Sequence, residues 1–210
     1  MLKKEYELLV PFIRKPWKKF AFKEIKKSTN KTSESYVYNG LKRFVRQGIL
    51  KEERAGNVIL YFLFLGQIKT QVYVGFAAEH VAWGKKHIPF DNVEKIAEQI
   101  PTTFYILIIT GSYAKNKQTL KSDIDMVIIV DDAIETKKVY AALQLKCEMN
   151  IPPIHPYVFK REEFLQMLLN KEANYGKAIA LDNLILYGGA EYLKMMDEAI
   201  QNGFNDKNLS

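Results

Sequence analysis

The sequence predicts an α/β (α+β) chain in two parts: a basic, helical front ending in a β-hairpin, and a mixed sheet with flanking helices behind it. Three observations predict this. Two short apolar runs, Phe104–Ile109 and Met126–Val130, are β-branched and bounded by turn or polar residues, the pattern of strands buried on both faces. Helical stripes precede and follow them. The charge is also split: residues 1–66 hold 15 Lys/Arg against 6 Asp/Glu, or +9, whereas residues 67–210 hold 16 against 18, or −2. The whole excess behind the net charge of +7 therefore sits in the first third, which points to a polyanionic partner there.

Composition bounds the rest. The 210 residues suffice for one large or two small domains. An apolar fraction of 48% and a charged fraction of 26% are ordinary for a globular protein. No apolar run is long enough to span a bilayer, and the charged start Met-Leu-Lys-Lys-Glu has no secretory core. Cys147 is alone, so it reads as a small packing residue. Together these lead us to expect a cytoplasmic protein with no membrane partner.

Taken in order, residues 3–14 carry a helical stripe of Tyr6, Leu9, Val10 and Ile13 that Pro16 ends. Residues 22–29 give a second short helix with Ile25 inward. Ser33 caps a third, running to about Gln47, with Val37, Leu41, Phe44 and Val45 inward and Gly48 as its stop. Residues 49–53 and 58–63 flank the turn Arg54-Ala55-Gly56-Asn57, a hairpin tip. A long helix follows within 66–87, as a linker or a dimer-forming element. Asn92 is a candidate cap for a helix over 93–100. After the second apolar run, Asp131-Asp132 are expected to cap a helix over 133–149. A strand over 154–159 precedes a helix opened by Glu162 and Glu163. Residues 174–181, 184–187 and 189–202 complete a helical tail, with a frayed end from Asn205. The expected domains are 1–66, a linker helix over 67–90, and 91–210.

The chemistry concentrates between the two apolar runs. Asp123 and Asp125 lie two apart at the mouth of a strand, so both project to one face, their Cα atoms ~7 Å apart. Two such carboxylates repel each other unless a cation sits between them, and hard oxygen ligands suit Mg²⁺. Packing gives no motive for an acid pair at the start of a buried strand. Gly111 follows the first strand directly, where it allows a sharp turn and a close approach to a ligand. A helix opening at Ser112-Tyr113-Ala114 would favour an anion at its N-terminus. The loop 115–121 then brings the chain back to Ser122-Asp123.

On Gly111, Ser112, Ala114, Ser122, Asp123, Asp125 and the strand after them, the chain resembles the polymerase β-type nucleotidyltransferase superfamily, in particular its small prokaryotic members. The resemblance implies a nucleotidyltransferase-like mixed sheet. Asp123 and Asp125 are then the catalytic and metal-binding pair, holding Mg²⁺ (or Mn²⁺). Gly111, Ser112 and Ser122 bind the nucleoside triphosphate, expected to be ATP. Two departures stand out. The loop carries Asn116 where the family has a glycine, and asparagine tolerates the left-handed conformation. The family's third carboxylate is missing: the candidate strand over 154–159 contains no acid, and His155 occupies or adjoins its place.

The front part, three helices and then a hairpin, resembles a winged helix-turn-helix. That resemblance places the third helix in a DNA groove, with Ser35, Tyr36, Asn39, Lys42, Arg43 and Arg46 outward. Lys and Arg would attract phosphates, and Asn39 and Arg43 could read base edges. It also implies a homodimer. Two functions follow. One is a nucleotidyl transfer from a nucleoside triphosphate to a hydroxyl acceptor, carried on a DNA-binding module. The other is a DNA-binding regulator whose nucleotidyltransferase-like half has lost catalysis and serves as nucleotide sensor or oligomerisation module.

Overall fold

The computed structural model describes residues 4–205 and 207; the helix start expected at Lys3 and most of the frayed end lie outside these. The chain forms two compact units, one built from the described residues up to Ala78 and from Gly189 onward, the other from Glu79–Gly188. The second unit thus ends before the last helix, whereas the sequence predicts a domain over 91–210 that includes it. Among the described residues no helix is long and apolar enough to cross a membrane.

The first unit opens with a 3-10 turn, Lys4–Leu9, and a short helix α1 (Val10–Arg14), with Leu8, Leu9, Phe12 and Ile13 buried. Strand β1 (Phe20–Ala21) leads into α2 (Phe22–Ser28), which buries Ile25. In α3 (Glu34–Arg46) the Ser33 hydroxyl accepts from the Tyr36 N–H at 3.3 Å, the expected N-cap, while Val37, Leu41 and Phe44 point inward. Strands β2 (Leu50–Ala55) and β3 (Val58–Leu63) form an antiparallel hairpin, and β1 adds to β3, giving the order β1-β3-β2. Helix α4 (Ile68–Trp83) anchors itself through Thr70, whose buried hydroxyl donates to the Gly48 carbonyl. Helix α10 (Gly189–Gln201) crosses α4 where Gly75 meets Gly189; a Cβ on Gly75 would lie 2.4 Å from the Ala190 nitrogen, so the two backbones touch only because both are glycine.

The second unit is a four-stranded sheet of order β6-β5-β4-β7. Strand β4 (Tyr105–Thr110) pairs antiparallel with β5 (Ile124–Val130), and β5 pairs parallel with β6 (Ile154–Lys160). Strand β7 (Leu184–Tyr187) pairs antiparallel with β4. The sequence placed residues 184–187 in a helical tail. Four apolar residues carry no period, and only pairing with β4 decides between helix and strand. One face of the sheet presents Leu107, Ile109, Met126, Ile128 and Leu186 to α5 (Phe90–Ala97) and α7 (Thr136–Glu148), through Val93, Ile96, Val139, Leu143 and Cys147. Helix α5 starts earlier than expected: Pro89 is its N-cap residue, and Asn92 instead donates from its side chain to the Ile151 carbonyl. Helices α8 (Arg161–Leu169) and α9 (Tyr175–Leu181) complete the unit, with Phe159 set against Phe164 and Tyr175. Asp132 caps α8 rather than α7, accepting from the Glu162 N–H at 2.8 Å. Asp131 accepts from the Ala133 N–H at 3.0 Å and closes the turn before α7.

Candidate active site

Antiparallel pairing sets Thr110 of β4 opposite Asp125 of β5, so the turn after β4 and the start of β5 share one end of the sheet. At that turn Gly111 adopts φ +67°, and a Cβ there would lie 2.0 Å from the Asp125 Oδ2. The glycine is therefore what leaves room for this carboxylate. Asp123 precedes β5 by one residue. Parallel pairing then sets His155 of β6 opposite Asp125, with its Nε2 3.5 Å from the Asp123 Oδ2. By strand alternation Thr110, Asp125, His155 and Tyr157 all project from the face opposite the α5/α7 core.

Burial is the main cause that holds the Asp125 carboxyl above the usual carboxylate range. Charge on Asp123 adds to this, while His155 and the Tyr157 hydroxyl oppose it. The Tyr157 ring lies 4.8 Å from that of Tyr175, and burial there pushes the Tyr175 hydroxyl well up. These aromatic neighbours escaped the sequence reading, although the period-2 spacing of His155, Tyr157 and Phe159 was visible.

Helix α9 reaches across this end of the sheet. It begins at Tyr175, beside Tyr157, and is capped at its end by Asp182, whose carbonyl accepts from the Thr110 hydroxyl at 2.6 Å. Lys115, after the Gly-Ser turn, reaches the Asp182 carboxylate at 3.3 Å. Within α9, Lys177 is only 2% exposed, and its Nζ has no hydrogen-bond partner among the described residues. A buried ammonium without a partner is costly.

Two sequence expectations fare less simply. The helix after Gly111 is a single turn, α6 (Gly111–Ala114), too short to carry a useful macrodipole. Ser122 turns back on its own loop, accepting from the Thr119 N–H at 2.9 Å. Asn116 does take the left-handed conformation, with φ 55°. The acid-lined hollow beside α8, about 720 Å³ with Asp132, Glu162 and Glu163 on its wall, lies at the far end of β6 and belongs to no part of this site.

The donor set fits a divalent cation: two carboxylates and an imidazole at one sheet end, with a glycine turn that leaves one carboxylate its space. Among the described residues, however, no three His, Cys, Asp or Glu side chains stand preassembled as a metal centre.

In the first unit, every one of the six acids of residues 1–66 is ion-paired: Glu5 with Arg43, Glu7 with Lys31, Glu24 with Lys18, Glu34 with Lys26, Glu52 with Lys42 and Glu53 with Lys19. On α3, Ser35, Asn39 and Arg46 are exposed and Tyr36 is half-buried, but Lys42 and Arg43 are turned onto Glu52 and Glu5.

No curated protein matches the chain. A solved structure described as "Crystal structure of the toxin-antitoxin with AMP-PNP" is similar at 13% identity and TM-score 0.39, over 54% of this chain and 86% of that one, too distant to bear on activity. Residues 93–187, which run from α5 to β7 and hold Gly111, Asp123, Asp125 and His155, match the family model described as Nucleotidyltransferase domain.

Proposed function

We propose that the second unit transfers a nucleoside monophosphate from a nucleoside triphosphate, ATP, to a hydroxyl acceptor. The observation that supports this most is the Gly111 turn held open against Asp125, inside a stretch that matches the nucleotidyltransferase family model. In the reaction the acceptor oxygen forms a bond to the α-phosphorus, the bond to the β,γ-pyrophosphate breaks, and the acceptor proton leaves to a base. Asp123 and Asp125 would hold a divalent cation. Such a cation would supply positive charge that offsets the charge developing on the departing pyrophosphate. The turn at Gly111 and Ser112 receives the phosphate tail, and Lys177 of α9 is a buried lysine whose ammonium has no partner among the described residues.

Calorimetric titration with Mg-ATP tests the assignment. Binding should vanish in the Asp123→Ala, Asp125→Ala double variant; unchanged affinity there rejects the site. Incubation with labelled ATP, CTP, GTP and UTP, followed by mass spectrometry of protein and extract, identifies the acceptor.

A second reading keeps nucleotide binding without turnover, in a DNA-binding regulator. The observation favouring it is His155 standing opposite Asp125 where the sequence resemblance implies a carboxylate. Under either reading the first unit, with its helices followed by a hairpin and its basic excess, brings the chain to DNA as a homodimer. Nucleotide bound at full occupancy with no label transferred under any nucleotide would select the regulator.

A further inference from the structure

We propose that His155 is the third protein donor of the cation site and that it makes the site select Mn²⁺ over Mg²⁺. This rests on the nucleotide-transfer reading of Asp123 and Asp125. Three observations carry it. Strands β5 and β6 run parallel in register, which sets His155 beside Asp125 on the same face. Its Nε2 lies 3.5 Å from the Asp123 Oδ2, so the imidazole already faces the acid pair. The side chain is 57% exposed, so packing does not fix its rotamer, and a cation can draw it in.

The donor chemistry then decides between Mn²⁺ and Mg²⁺. Mg²⁺ demands near-ideal octahedral oxygen coordination and gives up water reluctantly. A nitrogen donor favours first-row transition ions over it, whereas carboxylate, water and phosphate oxygens still suit Mn²⁺. Mn²⁺ therefore accepts two aspartates, an imidazole and the oxygens of a triphosphate together. In the ligand-free chain His155 lies against Asp123 alone, and among the described residues the three donors are not drawn together beforehand.

The test uses the full chain and reads the metal, not turnover. Titration with Mn²⁺, followed by loss of the free-ion electron paramagnetic resonance signal and by competition with Mg²⁺, gives the affinity ratio. Pulsed electron paramagnetic resonance of bound Mn²⁺ reads nitrogen-14 coupling. Wild type should prefer Mn²⁺ by about tenfold or more and show imidazole coupling. His155→Asp should lose the coupling, gain Mg²⁺ affinity and bring the two ions to within about threefold. Wild-type Mn²⁺ bound without nitrogen coupling, or equal affinity for both ions, overturns the inference yet leaves the aspartate site standing. Mn²⁺ binding that survives Asp123→Asn with Asp125→Asn overturns the aspartate site itself. His155→Gln, with unchanged circular dichroism and melting, separates loss of a donor from loss of fold.

Discussion

At Gly111 the room for a side chain and the room for the Asp125 carboxylate are the same room. A β-carbon there would meet the Asp125 Oδ2 at 2.0 Å, and the φ of +67° is one that other residues adopt only at a cost of about 1–3 kcal/mol. Gly111→Ala is therefore expected to lower the melting temperature by several degrees and to weaken metal–ATP binding tenfold or more, both read by calorimetry; full affinity would mean that Asp125 stands outside the site. Asp125 itself carries a pH signature. Its carboxyl is held above the usual range by burial, so the folded chain binds this proton more tightly than the unfolded chain does. The stability it contributes is present below the unfolded value of about 3.9 and is lost as pH rises through the folded value. Asp125→Asn should thus raise the melting temperature of the ligand-free protein at pH 7, with the gain shrinking toward pH 4. A melting curve equally shifted at every pH would assign the gain to packing. Cys147, by contrast, does what its isolation implied: it is buried in the core of the second unit, its thiol pushed up to about 11 by burial.

Among the elements, α9 carries a buried lysine, Lys177. Its cap is in order, since Asn174 accepts from the Lys177 N–H at 3.1 Å, but the Lys177 ammonium is buried without an acceptor among the described residues. Methionine has similar length and no charge. Lys177→Met should therefore melt higher without ligand, because a desolvated charge is removed, and should bind ATP about tenfold more weakly if phosphate is the missing partner. Scanning fluorimetry and titration calorimetry read the two effects; a lower melting temperature would mean that the ammonium is satisfied. Sequence made other elements easier to see than this one. Strands β4 and β5 were legible because Ile, Leu and Val run unbroken between turns, and α3 because Ser33 and Gly48 punctuate its stripe. The acid pair and the glycine turn were legible for the same local reason. Strand β7 was not, since its Leu-Ile-Leu-Tyr takes its geometry from β4. Nor were Tyr157 and Lys177, whose meaning comes from neighbours far along the chain.

For the whole molecule, charge is the property that sequence showed most clearly and structure redistributes most. The first 66 residues carry +9, yet all six of their acids are already spent on lysines and arginines, including Lys42 and Arg43 of α3. A phosphate that took either side chain would leave Glu52 or Glu5 facing it. Exposed ion pairs are weak, so they can open, but they return little net attraction when they do. Arg46 on α3 makes no such pair, and Arg54 at the hairpin donates only to the Gly56 carbonyl among the described residues. If the first unit binds DNA, these two are the phosphate contacts that release counterions. Each contributes about 0.9 to the slope of log affinity against log salt. The variant Arg46→Ala, Arg54→Ala should then flatten that slope by about 2, whereas Lys42→Ala, Arg43→Ala should change it by less than one unit. Fluorescence anisotropy with a labelled duplex across a series of salt concentrations measures both. A larger change from the Lys42, Arg43 variant would show that those ion pairs open on the duplex, and binding indifferent to salt would remove DNA as the partner of this unit.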